Sequence, residues 1–252
     1  TDRTVTETLN DLVLSIGENM KVRRFDRMDG IVSTYIHAGG SVGVMVGFDV
    51  ADESKAATDE FNAMGKNVAM QIAAMNPEYL SSADISADEM DKMHSITVDS
   101  ALNMPASLPI PILSKLIDEA MNEKKWSDED ITVYQGLDQK QRKNFANFIS
   151  KEAMETLAEI AVSHKDEICD NKIFVGLVKG RLSKQIKEIC LLEQDFVRSD
   201  LFQGSVGGYI ESVAKALGTE IKANSFIRMM KGDGLEKREE NFAEEIAKQI
   251  NG

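Results

Sequence analysis

The sequence is poor in the residues that carry catalytic, metal-binding or targeting chemistry. Only Cys169 and Cys190 are cysteines. They form no Cys-x-x-Cys pair and fit a reducing compartment in which thiols simply pack, so a cytoplasmic location is expected. No apolar run approaches the roughly 20 residues needed to cross a bilayer, and no charged-then-apolar signal segment opens the chain, so no membrane partner is expected. The three histidines, His37, His94 and His164, lie far apart. Neither a His-Glu-x-x-His nor a Cys/His ligand spacing occurs; surface or capping histidines are the plain reading, and no metal is expected. Basic residues are also in the minority, 29 against 42 acidic, for a net charge of −13. A phosphate-binding surface needs clustered Lys and Arg, so direct nucleic-acid binding is disfavoured.

Nucleotide and nucleophile motifs are missing as well. Gly39-Gly40-Ser41-Val42-Gly43 fails as a dinucleotide loop, because the first glycine of G-x-G-x-x-G would fall on Ala38. The segment also joins strand to strand, leaving no helix amino terminus to hold a pyrophosphate. Gly204-Ser205-Val206-Gly207-Gly208 is no G-x-S-x-G elbow, and no histidine is placed to complete a triad. There is no Walker sequence. Acidic clusters such as Asp128-Glu129-Asp130 read as solvated helix starts, and nothing singles out a carboxylate pair for acid–base work. The chain is therefore expected not to be an enzyme and to need no cofactor.

What is present is a folded, mixed pattern, 42% hydrophobic and 28% charged. Val5, Leu9, Leu12 and Val13 have helical spacing over Thr4–Leu14, ending near Gly17. Three β-like stretches follow, Met20–Phe25, Ile31–His37 and Val42–Phe48, with turn residues Asp29-Gly30 and Ala38-Gly39-Gly40 between them. Phe61, Met64, Val68, Ile72 and Met75 form one helical stripe stopped by Pro77. Ser86-x-x-Glu89 is a capping box opening a helix toward Leu102, and Pro105, Pro109 and Pro111 mark an elbow. Ile112 to Asp170 has helical periodicity, with Phe145, Ile149, Met154, Leu157 and Ile160. Further helices are predicted from Phe174 to about Ile189 and over Ser205–Leu217. A returning strand is predicted over Glu220–Met230, then a polar terminal helix with Phe242, Ile246 and Ile250. The predicted fold is α+β: a small antiparallel sheet packed by helices, interrupted by a helical, coiled-coil-like insertion, with a terminal helix.

Six ordered blocks resemble translation elongation factor Ts. They are Ile16-Gly17-Glu18-Asn19 with Val22-Arg23-Arg24-Phe25; Tyr35 to Val46, reading YIHAGGSVGVMV; and Val68 to Leu80, reading VAMQIAAMNPEYL. Later come Val178-Lys179-Gly180-Arg181-Leu182, Cys190 to Val197 reading CLLEQDFV, and Phe226-Ile227-Arg228 leading to Gly232-Asp233-Gly234-Leu235-Glu236-Lys237. The resemblance implies a guanine-nucleotide exchange factor whose partner is the GTPase elongation factor Tu. It divides the chain into a helix, 1–15, left from a preceding core half; an α+β core, 16–80 with 185–232; a helical dimerisation region with insertion, 81–184; and a C-terminal module, 233–252.

By position, Ile16 and Gly17 match residues that press on the nucleotide domain of the GTPase. His37, Val197 and Arg198 match the surface that meets its third domain, and the terminal helix with Phe242 and Ile246 matches the module that reaches back to the nucleotide domain. On the residue pattern alone, Ile16 reads equally as core, His37 as an exposed loop histidine, Val197 as packed internally, and Phe242 and Ile246 as buried against this chain. Two departures are expected to matter. The family's amino-terminal helical module and its Thr-Asp-Phe-Val wedge are absent, which leaves open a chain that binds without exchanging. The family's dimerisation segment is also enlarged by Pro105–Asp170, read as a lengthened helical hairpin, so a homodimer stays open. The alternative function is a self-associating helical scaffold without exchange activity.

Overall fold

The computed structural model of the chain describes residues 2–235. Two units divide the chain, one formed by residues 1–74 and 213–252 and the other by residues 75–212. In the first unit α1 (Val5–Ile16) is followed by β1 (Ile31–His37), β2 (Val42–Val50) and α2 (Asp59–Met75). The second unit is helical, with α3 (Ala87–Leu102), α4 (Ile110–Asn122), α5 (Asp128–Gly136), α6 (Gln139–Arg142), α7 (Lys151–Ser163), α8 (Lys165–Cys169) and α9 (Lys172–Ile189). Helix α10 (Val206–Leu217) runs across the boundary at residue 212, and β3 (Ile221–Met230) belongs to the first unit.

The three strands form one antiparallel sheet in the order β1-β2-β3. The central strand is the most apolar, as its position requires, and Val42, Val44, Val46, Phe48 and Val50 alternate into the core. Their partners across β1 include Ser33 opposite Val46 and Tyr35 opposite Val44. The turn between β1 and β2 uses Ala38, Gly39 and Gly40, all at positive φ, and the Ser41 hydroxyl donates to the Ala38 carbonyl at 2.9 Å. Phe61, Met64, Val68, Ala69 and Ile72 of α2 are buried, and Phe61 meets Phe48 edge-on with ring centroids 5.4 Å apart. Gly65 sets the closeness of helix and sheet, because a Cβ there would run into the Ser33 hydroxyl. Asn76, with φ +48°, turns the chain out of α2 directly before Pro77.

In the helical unit five helix starts carry a side-chain cap. Ser86 and Glu89 form the capping box of α3, Ser127 caps α5, Asp138 caps α6, Ser150 caps α7 and Asn171 caps α9. The buried core runs through Leu102, Ile112, Ile117, Trp126, Phe145, Leu157, Phe174 and Val178. Trp126 donates its indole N–H to the Ala153 carbonyl at 3.0 Å, and Tyr134 stands edge-on between Trp126 and Phe145. Asp130 ties two caps together: it accepts from the Ser127 hydroxyl at 2.6 Å and from the Ser150 amide and hydroxyl at 2.7 and 2.9 Å. Burial raises the Asp130 pKa, but the bonds from Ser127 and Ser150 outweigh it and hold the carboxyl below the usual aspartate value.

Two expectations are corrected. Met20–Phe25 forms no strand, and Val22 and Phe25 are largely exposed. Its loose alternation includes Lys21, Arg23 and Arg24 and offers no continuous apolar face for a sheet. The Pro105–Asp170 segment does not lengthen a two-helix hairpin. It adds the short helices α4 to α8, because caps at Ser127, Asp138 and Ser150 restart the chain before any long helix can form.

Candidate partner-binding site

Helix α1 is closed at its start by the Thr4–Glu7 capping box, in which the Thr4 amide donates to the Glu7 carboxylate at 2.8 Å and the Glu7 amide to the Thr4 hydroxyl at 3.2 Å. Those bonds to Thr4 hold the Glu7 carboxyl below its usual value. At the other end Gly17 takes the left-handed conformation, φ +78°, and its amide donates to the Val13 carbonyl at 2.9 Å. Only glycine adopts this cap without a Cβ penalty. No residue of α1 is buried. Ile16 is 56% exposed and Leu12 48%, so the helix ends in an open apolar ridge. Ile16 is therefore not a core residue in this structure.

The segment after Gly17 was not legible as part of a site. Arg23 and Arg24 both donate to the Asp233 carbonyl, and Arg24 also faces the Asp233 carboxylate at 3.6 Å. Residues about 210 positions apart in sequence thus meet, and Phe25, which follows the two arginines, is 86% exposed. No periodicity announces such a contact; a run of two arginines only signals exposed positive charge.

His37 ends β1 beside the turn and is exposed. Its Nδ1 lies 3.1 Å from the Tyr35 hydroxyl, with the two rings tilted at 38° and 5.8 Å apart. Tyr35 therefore sets the direction of the imidazole.

In the helical unit, Val197 and Arg198 sit on a loop that is anchored from below. Phe196 is buried and stacks on Tyr209 with centroids 4.2 Å apart at 16°, while its amide donates to the Gly204 carbonyl at 2.8 Å. Strand-like alternation then turns Val197 outward, and it is 47% exposed. Arg198 makes a two-pronged pair with Asp200, at 2.8 and 2.7 Å, which raises the arginine pKa and lowers that of Asp200. The loop is further fixed by the Tyr79–Leu80 segment. The Leu191 amide donates to the Tyr79 carbonyl and the Leu192 amide to the Leu80 carbonyl, each at 2.9 Å, and the Ser82 hydroxyl donates to Glu193 at 2.7 Å. Burial pushes the Cys190 thiol in this segment up to about 11.

Ile16, Gly17 and His37 belong to the first unit and Val197 and Arg198 to the second. Phe242 and Ile246 lie outside the described residues. Among the described residues no group of three His, Cys, Asp or Glu side chains is placed to hold a metal ion, and no helix is long and apolar enough to cross a membrane.

The family model described as Elongation factor TS matches residues 1–233 of this chain. The chain belongs to the elongation factor Ts family. Similar relatives named Elongation factor Ts include that of Clostridioides difficile (strain 630), 34% identical over 249 residues, which cover 98% of this chain and 59% of the relative. That of Clostridium kluyveri is 33% identical over 254 residues, covering 99% and 60%, and that of Magnetococcus marinus 29% over 255 residues, covering 100% and 61%. The chain thus spans about three-fifths of the length of these relatives of the elongation factor Ts family. The family match runs through the whole helical unit, so the short helices α4 to α8 lie within it.

Proposed function

We propose that this chain binds the GTPase elongation factor Tu and promotes release of its GDP, acting by binding alone with no covalent chemistry of its own. The observation that carries this reading is the open end of α1, where Leu12 and Ile16 are exposed and Gly17 leaves the backbone uncovered, with nothing within 4 Å of where a Cβ would stand. Apolar side chains held out by a capped helix are suited to pressing on another protein. His37 and, in the helical unit, Val197 and Arg198 add further contacts to the partner. Exchange follows by linkage: a factor that binds the nucleotide-free GTPase more tightly than the GDP-bound form lowers GDP affinity by the same ratio. The test is release of a fluorescent GDP analogue from elongation factor Tu. Acceleration by the wild-type chain, and its loss in Ile16→Asp with unchanged thermal stability, is the expected result. Equal acceleration by both would move the contact away from α1.

A further inference from the structure

Helix α9 presents four exposed lysines on one side, in a chain whose net charge is −13. Lys172, Lys179, Lys184 and Lys187 are exposed, and none has a carboxylate within ion-pair distance among the described residues. At 3.6 residues per turn these lysines fall on one side of the helix, opposite the buried Phe174 and Val178. Between them on the same side lie Gly176, Gly180 and Ser183, spaced four and three residues apart and all exposed.

Among the described residues nothing packs over the two glycines. A Cβ at Gly176 or Gly180 would meet nothing within 4 Å, and both have ordinary negative φ in mid-helix. Alanine would fit at either position, and glycine in mid-helix disfavours the helix relative to it. A helix that keeps two such glycines on its most basic face has a use for the space above them.

We infer that this face of α9 docks an acidic amphipathic helix of another protein, its backbone approaching over Gly176, Gly180 and Ser183 and its carboxylates meeting the four flanking lysines. The four-then-three spacing is that of the groove into which a second helix sets a ridge of side chains. Charge complementarity selects an acidic occupant. A nucleic acid fits less well, because lysine side chains reach phosphates without a groove beneath them, the face has no aromatic residue on which bases stack, and the chain as a whole carries −13.

The test uses the full chain and a fluorescently labelled 21-residue helical peptide with an alanine–leucine ridge flanked by glutamates, titrated by anisotropy. A single-stranded and a duplex oligonucleotide of similar charge serve as competitors. Gly176→Gln/Gly180→Gln fills the space with good helix formers, so its melting temperature should equal or exceed that of the wild type while peptide affinity falls at least tenfold. Lys179→Glu/Lys184→Glu should weaken the peptide to the same degree, and added salt should weaken the wild-type complex. Peptide binding insensitive to the glutamine substitutions, no peptide binding, or tighter binding of the oligonucleotides would each overturn the proposal.

Discussion

At the residue scale, small features decide large consequences. Gly65 is required because α2 crosses β1 where Ser33 already fills the space of a Cβ. Gly65→Val should lower the stability of the α+β unit by about 1–3 kcal/mol through overpacking, read from chemical denaturation followed by far-ultraviolet circular dichroism. Asp130 joins the caps of α5 and α7, so Asp130→Ala should cost about 1–3 kcal/mol by leaving the Ser150 amide unsatisfied. Its carboxyl titrates lower in the folded than in the unfolded chain. The stabilisation it gives is therefore complete above the ordinary aspartate pKa of about 4 and is lost as pH falls through the lower, folded value. Asp130→Asn should flatten the acid limb of the stability–pH curve. Cys190 is fully buried, and burial holds its thiol at about 11, so a thiol reagent at neutral pH should modify it only at the rate of unfolding.

At the scale of elements, the sequence was most legible where the signal is local. The Ser86–Glu89 capping box opens α3, Pro77 follows the end of α2, Gly17 ends α1, and the apolar run Val42–Phe48 becomes the central strand. The failure at Met20–Phe25 has the converse cause. That segment is held by Arg23 and Arg24 reaching Asp233, a long-range contact with no local period. The Pro105–Asp170 segment was legible as helical, and the caps that divide it at Ser127, Asp138 and Ser150 are local, but the gathering of its short helices around Trp126 and Phe145 rests on tertiary packing, which amphipathic spacing alone does not reveal. Of the named site residues, the sequence located Ile16, Gly17 and His37 in their elements, while the outward turn of Val197 depends on the Phe196–Tyr209 stack. The single tryptophan reports on the helical unit alone. Phe145→Ala, which empties the space beside Tyr134, should destabilise that unit by about 3–5 kcal/mol as followed by Trp126 fluorescence. At temperatures where the unit stays folded, the rate of GDP release from the partner should be unchanged. A slower release would place the helical unit on the partner surface.

At the scale of the whole molecule, a chain of the elongation factor Ts family holds apolar and cationic groups outward on capped helices and anchored loops. Under the proposed function, a chain spanning about three-fifths of its relatives' length still accelerates nucleotide release. The most direct measurement is the dissociation rate of a fluorescent GDP analogue from elongation factor Tu, with and without this chain, alongside Ile16→Asp. Faster release with the wild-type chain, returning to the spontaneous rate with Ile16→Asp, is the predicted result. An unchanged rate at saturating wild-type chain would contradict the claim.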